Sequence, residues 1–266
     1  VVPTRRSDPM SMLRRWLTLD AGNTTLDAML HELADATART VARARFAVDG
    51  LDGAAFAAFV ARVPLDGAAA VAVRRGALDA AFHVLAAAGV TMALVGRDLH
   101  CPLPLDYATP HTLGADRWLG ALAAHRRHGR ALVVDCGSAT TVNLVAADGT
   151  FRGGPIGPGL RALQSGMQQV TPALPAADLQ ATPQWPPRSS QAAVDAGTLI
   201  GYCGLVERLV AAMLAVAGGP TQVLLTGGNA ELVVRHGRLQ ARHEPDLVHQ
   251  GLLWLATGAG ATPCGR

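Results

Sequence analysis

Trp16-Leu17-Thr18-Leu19-Asp20-Ala21-Gly22-Asn23-Thr24-Thr25 reads as a strand running into an acidic glycine turn, and apolar residues resume at Leu26, Ala28, Met29 and Leu30. The pattern returns further along. Ala131-Leu132-Val133-Val134 leads into Asp135-Cys136-Gly137-Ser138-Ala139-Thr140, and Val142, Leu144 and Val145 resume. Taken singly, a D-x-G turn is ordinary hairpin chemistry. Two copies of D-x-G-[NS]-x-T with matching apolar flanks predict that each opens one of two similar α/β halves.

Working outward, the spacing of Leu78, Ala81, Phe82 and Leu85 predicts a helix over 77–88 that ends at Gly89, and Met92 to Val95 reads as a short buried strand. Leu113 to His125 reads as a helix with Gly114, Asp116 and Arg117 in its first turns. Gln191 to Val216 reads as a long apolar helix or helix pair, and Val223 to Thr226 as a strand entering Gly227-Gly228-Asn229. The Pro-rich stretch from Thr171 to Pro187 is a loop. The Ala-rich region from His31 to Arg75 carries no motif. The division between the halves is expected between 127 and 128, giving domains 12–127 and 128–266.

Composition narrows the function. Of 266 residues, 50% are hydrophobic and 16% charged, which fits a globular chain with helices packed on buried sheets. All 23 basic residues are Arg, so the phosphate-binding lysine of a P-loop is excluded. The formal charge of +3 and the clusters Arg5-Arg6, Arg14-Arg15 and Arg126-Arg127 read as solvated surface, and no nucleic-acid partner is expected. Cys101, Cys136, Cys203 and Cys264 form no CxxC pair, so they read as isolated thiols. His100 and His111 have no metal-ligand spacing. No apolar run approaches 18 residues, Val1 to Met10 reads as an unstructured leader, and a cytoplasmic protein without membrane contact is expected.

The repeated loops suit phosphoryl transfer, which needs backbone donors around phosphates, a divalent ion and a base near the acceptor hydroxyl. A glycine turn lets main-chain N–H groups approach phosphate oxygens, and an Asp at a strand end holds a hydrated Mg²⁺. Asp116 alone, early in a helix, reads as a partner of the helix dipole. The Gly-Gly-Pro-Ile-Gly-Pro-Gly run over 153–159 reads as a rigid turn, or as a point of close approach to a ligand or a second subunit.

Four motifs in order carry a resemblance. They are DAGNTT from Asp20, YATPHTLGADR from Tyr107, DCGSATTVNLV from Asp135 with GTFRGGPIGPGL from Gly149, and LLTGGN from Leu224. Together they resemble the type III pantothenate kinases, a branch of the acetate and sugar kinase/Hsp70/actin superfamily. The resemblance implies an α/β fold of two duplicated ribonuclease H-like (actin-like ATPase) domains with a cleft between them. It also implies ATP-dependent phosphorylation of pantothenate to 4′-phosphopantothenate, the first step of coenzyme A synthesis.

The same resemblance implies roles for residues. Asp20, Ala21, Gly22, Asn23, Thr24, Thr25, Leu26 and Asp27 form the first phosphate loop, with Asp20 near Mg²⁺. Ser138 contacts ATP, and Gly227 and Gly228 form the adenosine-side turn. Asp116 is the general base. Tyr107, Gly114, Ala115, Asp116, Arg117 and Ser190 bind pantothenate, with Arg117 on the pantothenate carboxylate or the transferring phosphate. Asp135 holds a monovalent cation, K⁺ or NH₄⁺. A homodimer is implied, for which the apolar Leu199–Val216 stretch offers a surface. Two departures stand out: Ser138 replaces the usual Thr, and Ser189-Ser190 replaces a typical Asn-Thr. The competing readings are another kinase of the superfamily and a non-enzymatic accessory factor in transcription. The presence of Asp20, Asp116 and Asp135 argues against a degenerate member.

Overall fold

A computed structural model describes residues 13–34, 37–74 and 76–258. The leader, with Arg5 and Arg6, and also Arg75 and Cys264 lie outside the described residues. The chain forms two compact units, one of 1–101 with 248–266 and the other of 102–247.

In the first unit the expected strand–turn–strand is β1 (Arg14–Ala21) and β2 (Thr25–Ala34), paired antiparallel with Asp20 opposite Asp27. β3 (Thr37–Ala47) extends the hairpin, and β4 (Gly67–Ala72) and β5 (Met92–Leu94) add in parallel on the other side. The sheet order is β3-β2-β1-β4-β5. Side chains alternate across the sheet. Leu17, Leu19, Leu26 and Leu30 face α1 (Gly53–Val60) and α2 (Asp79–Ala87), burying Phe56, Phe59 and Leu85. Asp52 caps α1 by accepting from the N–H groups of Ala54 and Ala55, a contribution of about 1 kcal/mol. As the sequence predicts, α2 stops before Gly89, which takes φ +72°.

The opposite face of β1 and β2 carries polar residues. The Thr18 hydroxyl, fully buried, lies 2.7 Å from His31 Nε2 and 2.8 Å from His249 Nδ1. His249 belongs to α7 (Leu247–Thr257), whose Leu253 packs on Leu33 of this sheet. Burial pushes the His31 pKa down to about 4 and, chiefly for the same reason, that of His249 to about 3. Both rings are therefore neutral in the fold, whereas the unfolded chain binds these protons below about pH 6.5. Stability from this pair is complete above that pH and is lost as pH falls towards 4 and 3, by roughly 2 kcal/mol per histidine at pH 5. Melting temperature should therefore drop between pH 7 and 5. His31→Gln should flatten that slope, and an unchanged slope would remove His31 as its source.

The second unit repeats the plan. β6 (Ala131–Cys136) pairs antiparallel with β7 (Ala139–Val145), β7 with β8 (Ile156–Pro158), and β9 (Gln222–Thr226) and β10 (Arg242–His243) follow in parallel. The order β10-β9-β6-β7-β8 matches that of the first sheet strand for strand, so the two halves are duplicates. α5 (Ser190–Ala215) lies on the Leu132–Val134–Cys136 face, burying Tyr202, Val206 and Val210, and α4 (Leu160–Val170) and α6 (Ala230–His236) pack beside it. α3 (Ala115–His128) covers the other face, where Gly120 sits against Val133.

The compact units divide at 101/102 and 247/248: α3 packs on β6 and β7, and α7 returns to the first sheet. Gln191 to Val216 is one helix, α5, whose Leu199, Tyr202, Cys203, Val206 and Val210 are core; only its end exposes large apolar groups, Leu214 and Val216. Those five residues are the buried face of the Leu199–Val216 stretch; Gly201, Gly204, Arg208, Ala211 and Ala212 lie on its exposed face. By length and composition α5 is also the one helix among the described residues that meets the requirement for crossing a membrane, although it carries Asp195, Glu207 and Arg208.

Candidate active site

The first acidic loop is a tight turn closed by the Gly22 N–H donating to the Thr25 carbonyl at 2.9 Å. Asp20 is half-buried, Asn23, Thr24 and Thr25 are exposed, and Ala21 and Leu26 are core residues that offer only backbone. Asp27 is committed elsewhere. Its carboxylate accepts from Arg43 Nε at 2.9 Å and from Arg45 Nε at 3.2 Å, with His249 Nε2 at 3.8 Å. Burial opposes its ionisation, but the Arg43 hydrogen bond and the charges of Arg43 and Arg45 hold its pKa below the usual carboxylate value. This ion-pair cluster locks β2 to β3, a role the sequence does not announce.

In the second unit, α3 and β6 bring two expected acids together. Asp116 lies in the first turn of α3 and Asp135 near the end of β6, both half-buried. Burial raises the pKa of each; for Asp135 burial and the Asp116 charge push it to about 7. Neither has an ion-pair partner among the described residues. The Asp116 carboxylate accepts from the Arg117 N–H at 2.9 Å, which fixes its rotamer. Gly114 caps the helix, and a Cβ there would come within 2.6 Å of Asp116 Oδ1.

Arg117 is buried at 7% exposure. Its Nε donates to Asn143 Oδ1 at 2.7 Å, Nη2 to the Gly154 carbonyl at 2.8 Å and Nη1 to the Tyr107 hydroxyl at 3.4 Å. The guanidinium also sits 5.8 Å and 5.9 Å from the Tyr107 and Phe151 ring centroids. It is thus largely consumed inside the protein, joining α3, Tyr107 and the 153–159 run. That run approaches closely. A Cβ on Gly153 (φ +70°) would meet the Tyr107 ring at 3.0 Å, and one on Gly159 would lie 2.3 Å from the Ser138 carbonyl oxygen.

The Gly227-Gly228 turn is tied to the second acidic loop. Asn229 donates from its side chain to the Cys136 and Gly137 carbonyls at 3.0 and 3.2 Å, and from its N–H to the Cys136 carbonyl at 2.9 Å. Ser138 and Gly228 are exposed on this assembly. Ser190 begins α5 and is exposed; its neighbour Ser189 is the N-cap, accepting from the Ala192 N–H at 3.1 Å beside a cavity of about 240 Å³ lined also by Gln191 and Asp195. Asn143 and Asn229 were overlooked as site residues, although each sits inside a quoted motif. The available signal was an Asn at the buried position between Val142 and Leu144.

Two half-buried carboxylates with raised pKa values form an acidic centre beside glycine turns rich in main-chain donors, suited to accepting a proton and holding a cation. Among the described residues no cluster of three or more His, Cys, Asp or Glu forms a metal cage, so a cation here would keep water or substrate oxygens among its ligands.

The sequence model of the family described as type III pantothenate kinase matches residues 16–212. A type III pantothenate kinase of Rhodopirellula baltica is 41% identical over 161 residues, 58% of this chain and 58% of that protein. One from Rhizorhabdus wittichii is 37% identical over 168 residues, 62% of this chain and 65% of the relative. The matched stretch thus spans about three fifths of these relatives. Among solved structures, component A of the (R)-2-hydroxyglutaryl-CoA dehydratase of Acidaminococcus fermentans superposes with TM-score 0.54 at 16% identity, covering 92% of this chain and 97% of that one. That likeness bears on fold alone and agrees with the duplicated actin-like architecture.

Proposed function

The chain belongs to the type III pantothenate kinase family, and from that premise we propose that it transfers the γ-phosphoryl group of ATP to the primary hydroxyl of pantothenate. The observation that carries this reading is Asp116: a half-buried carboxylate with a raised pKa and no ion pair among the described residues, held in place by the Arg117 N–H. Such a group is matched to taking a hydroxyl proton as the phosphoryl group moves. Tyr107, Gly114 and Ala115 line the acceptor side around it. Ser190 joins them as the least supported contact, since the cap is formed by Ser189. Arg117 serves here mainly by holding Tyr107 and the 153–159 run, and only its remaining N–H groups face substrate.

On the nucleotide side, the turn from Asp20 to Thr25 offers backbone and hydroxyl donors to phosphate, with Asp20 towards Mg²⁺. Ala21 and Leu26 contribute main chain only, and Asp27 acts by bracing the strand. Ser138, Gly227 and Gly228 take the nucleotide in the second unit. Asp135 suits a monovalent cation because its burial and the nearby Asp116 leave negative charge uncompensated; K⁺ or NH₄⁺ would supply that compensation. A cytoplasmic homodimer remains part of the proposal.

The test is pantothenate-dependent ADP formation by the purified protein in K⁺ buffer, beside a panel of sugar and carboxylate acceptors. Activity on pantothenate is expected. Activity on a sugar with none on pantothenate would favour another kinase of the superfamily, and none on any acceptor the accessory-factor reading. Rates in K⁺ and NH₄⁺ should exceed those in Na⁺; equal rates would count against a cation role for Asp135.

A further inference from the structure

We infer that Asn143 is a positioning residue that couples the acceptor wall at Tyr107 and Arg117 to the Asp135 loop. Asn143 sits in the middle of β7, 1% exposed, between the buried Val142 and Leu144. Its amide makes two contacts. Oδ1 accepts from Arg117 Nε at 2.7 Å, and Nδ2 donates to Thr141 Oγ1 at 2.9 Å. The orientation is fixed, because guanidinium offers only donors and so requires the amide oxygen. Thr141 must then accept, which leaves its hydroxyl hydrogen for a second acceptor. The cross-strand partner of Thr141 is Asp135, and antiparallel partners present their side chains to the same face.

A directional series therefore runs from Arg117 to Asn143 to Thr141 and ends beside Asp135, while Arg117 reaches Tyr107 and the Gly154 carbonyl at its other end. An apolar residue at 143 would fill the same strand position but leave the buried Arg117 Nε–H without its acceptor, so it would lower stability as well as break the link. Because the amide is held at both ends, by Arg117 on Oδ1 and by Thr141 on Nδ2, a displacement of Thr141 is passed to the amide and the guanidinium. Acceptor geometry and the electrostatics of Asp135 are consequently set together.

The kinetic arm rests on the pantothenate kinase reading, so a second readout stands apart from it. Thr141→Val cuts the far end of the series without touching Arg117 or Tyr107 and is close to isosteric. It should raise the KM for pantothenate about threefold and shift the K⁺ concentration for half-activation. Asn143→Ala should raise the KM about tenfold, and the double variant should be no worse than Asn143→Ala alone, since both cut one series. Hydrogen exchange of the backbone over 107–117 should quicken in Thr141→Val as well as in Asn143→Ala. A purely structural role predicts lower melting temperatures with unchanged KM values and exchange faster only around the substituted residue. The inference is overturned if Thr141→Val leaves both the KM and exchange over 107–117 unchanged, or if the two substitutions add. Should the wild-type protein prove inactive on pantothenate, the functional reading falls and the exchange result alone decides the coupling.

Discussion

Asp116→Asn is expected to reduce pantothenate-dependent ATP turnover about 10³-fold while leaving the fold intact. General-base catalysis by a positioned side chain is worth roughly 10²–10⁴, and an amide cannot take the hydroxyl proton. The structural cost is small for three reasons. Asn is isosteric, it can still accept from the Arg117 N–H, and no ion pair is broken. Removing the Asp116 charge also removes one of the two influences that raise the Asp135 pKa, so the Asp135 carboxyl should titrate below its present value of about 7. Melting temperature should accordingly be unchanged or slightly higher. A coupled ADP assay with a thermal melt reads both quantities. Near-wild-type turnover in the folded variant would remove Asp116 as the base.

The two acidic loops were legible because their signal is local: apolar strand, acid, glycine and hydroxyl lie within ten residues. The same holds for α2, whose stop at Gly89 follows from a single residue that accepts φ +72°. Properties that depend on distant partners were not legible. Nothing near Asp27 in sequence says that Arg43 and Arg45 will take its carboxylate, because that pairing exists only once β2 and β3 are in register. Arg117 looked like a ligand for anions, yet Asn143, 26 positions away, and Gly154, 37 away, consume much of its donor capacity. The placing of α3 depends on distant partners in the same way, since its apolar face is buried by β6 and β7, which follow it. The region 31–75 carries no motif, and its two strands β3 and β4 became visible only through their pairing with β2 and β1.

Gly227→Ala should be the most disruptive single change in the turn over 227–229. Gly227 adopts φ +88°, where an L side chain is strained by roughly 1–2 kcal/mol. A Cβ there would lie 2.3 Å from Asp135 Oδ1 and 2.7 Å from the backbone N and C of Cys136. Even if the carboxylate turns aside, the Cys136 backbone cannot, because it is fixed in the β6–β7 ladder and by Asn229. Overpacking of this kind adds about 1–3 kcal/mol, so a melting temperature lower by roughly 10 °C is expected. The adjacent Gly228 supplies the control. A Cβ at 228 meets nothing within 4 Å, so Gly228→Ala should keep its melting temperature within about 2 °C. If this turn seats the nucleotide, that same variant should still raise the KM for ATP, because the added methyl occupies the space a base or ribose would use. A stable Gly228→Ala with unaltered KM for ATP would move the nucleotide away from this turn while leaving the Gly227 argument untouched, since the latter rests on Asp135 and Cys136 alone.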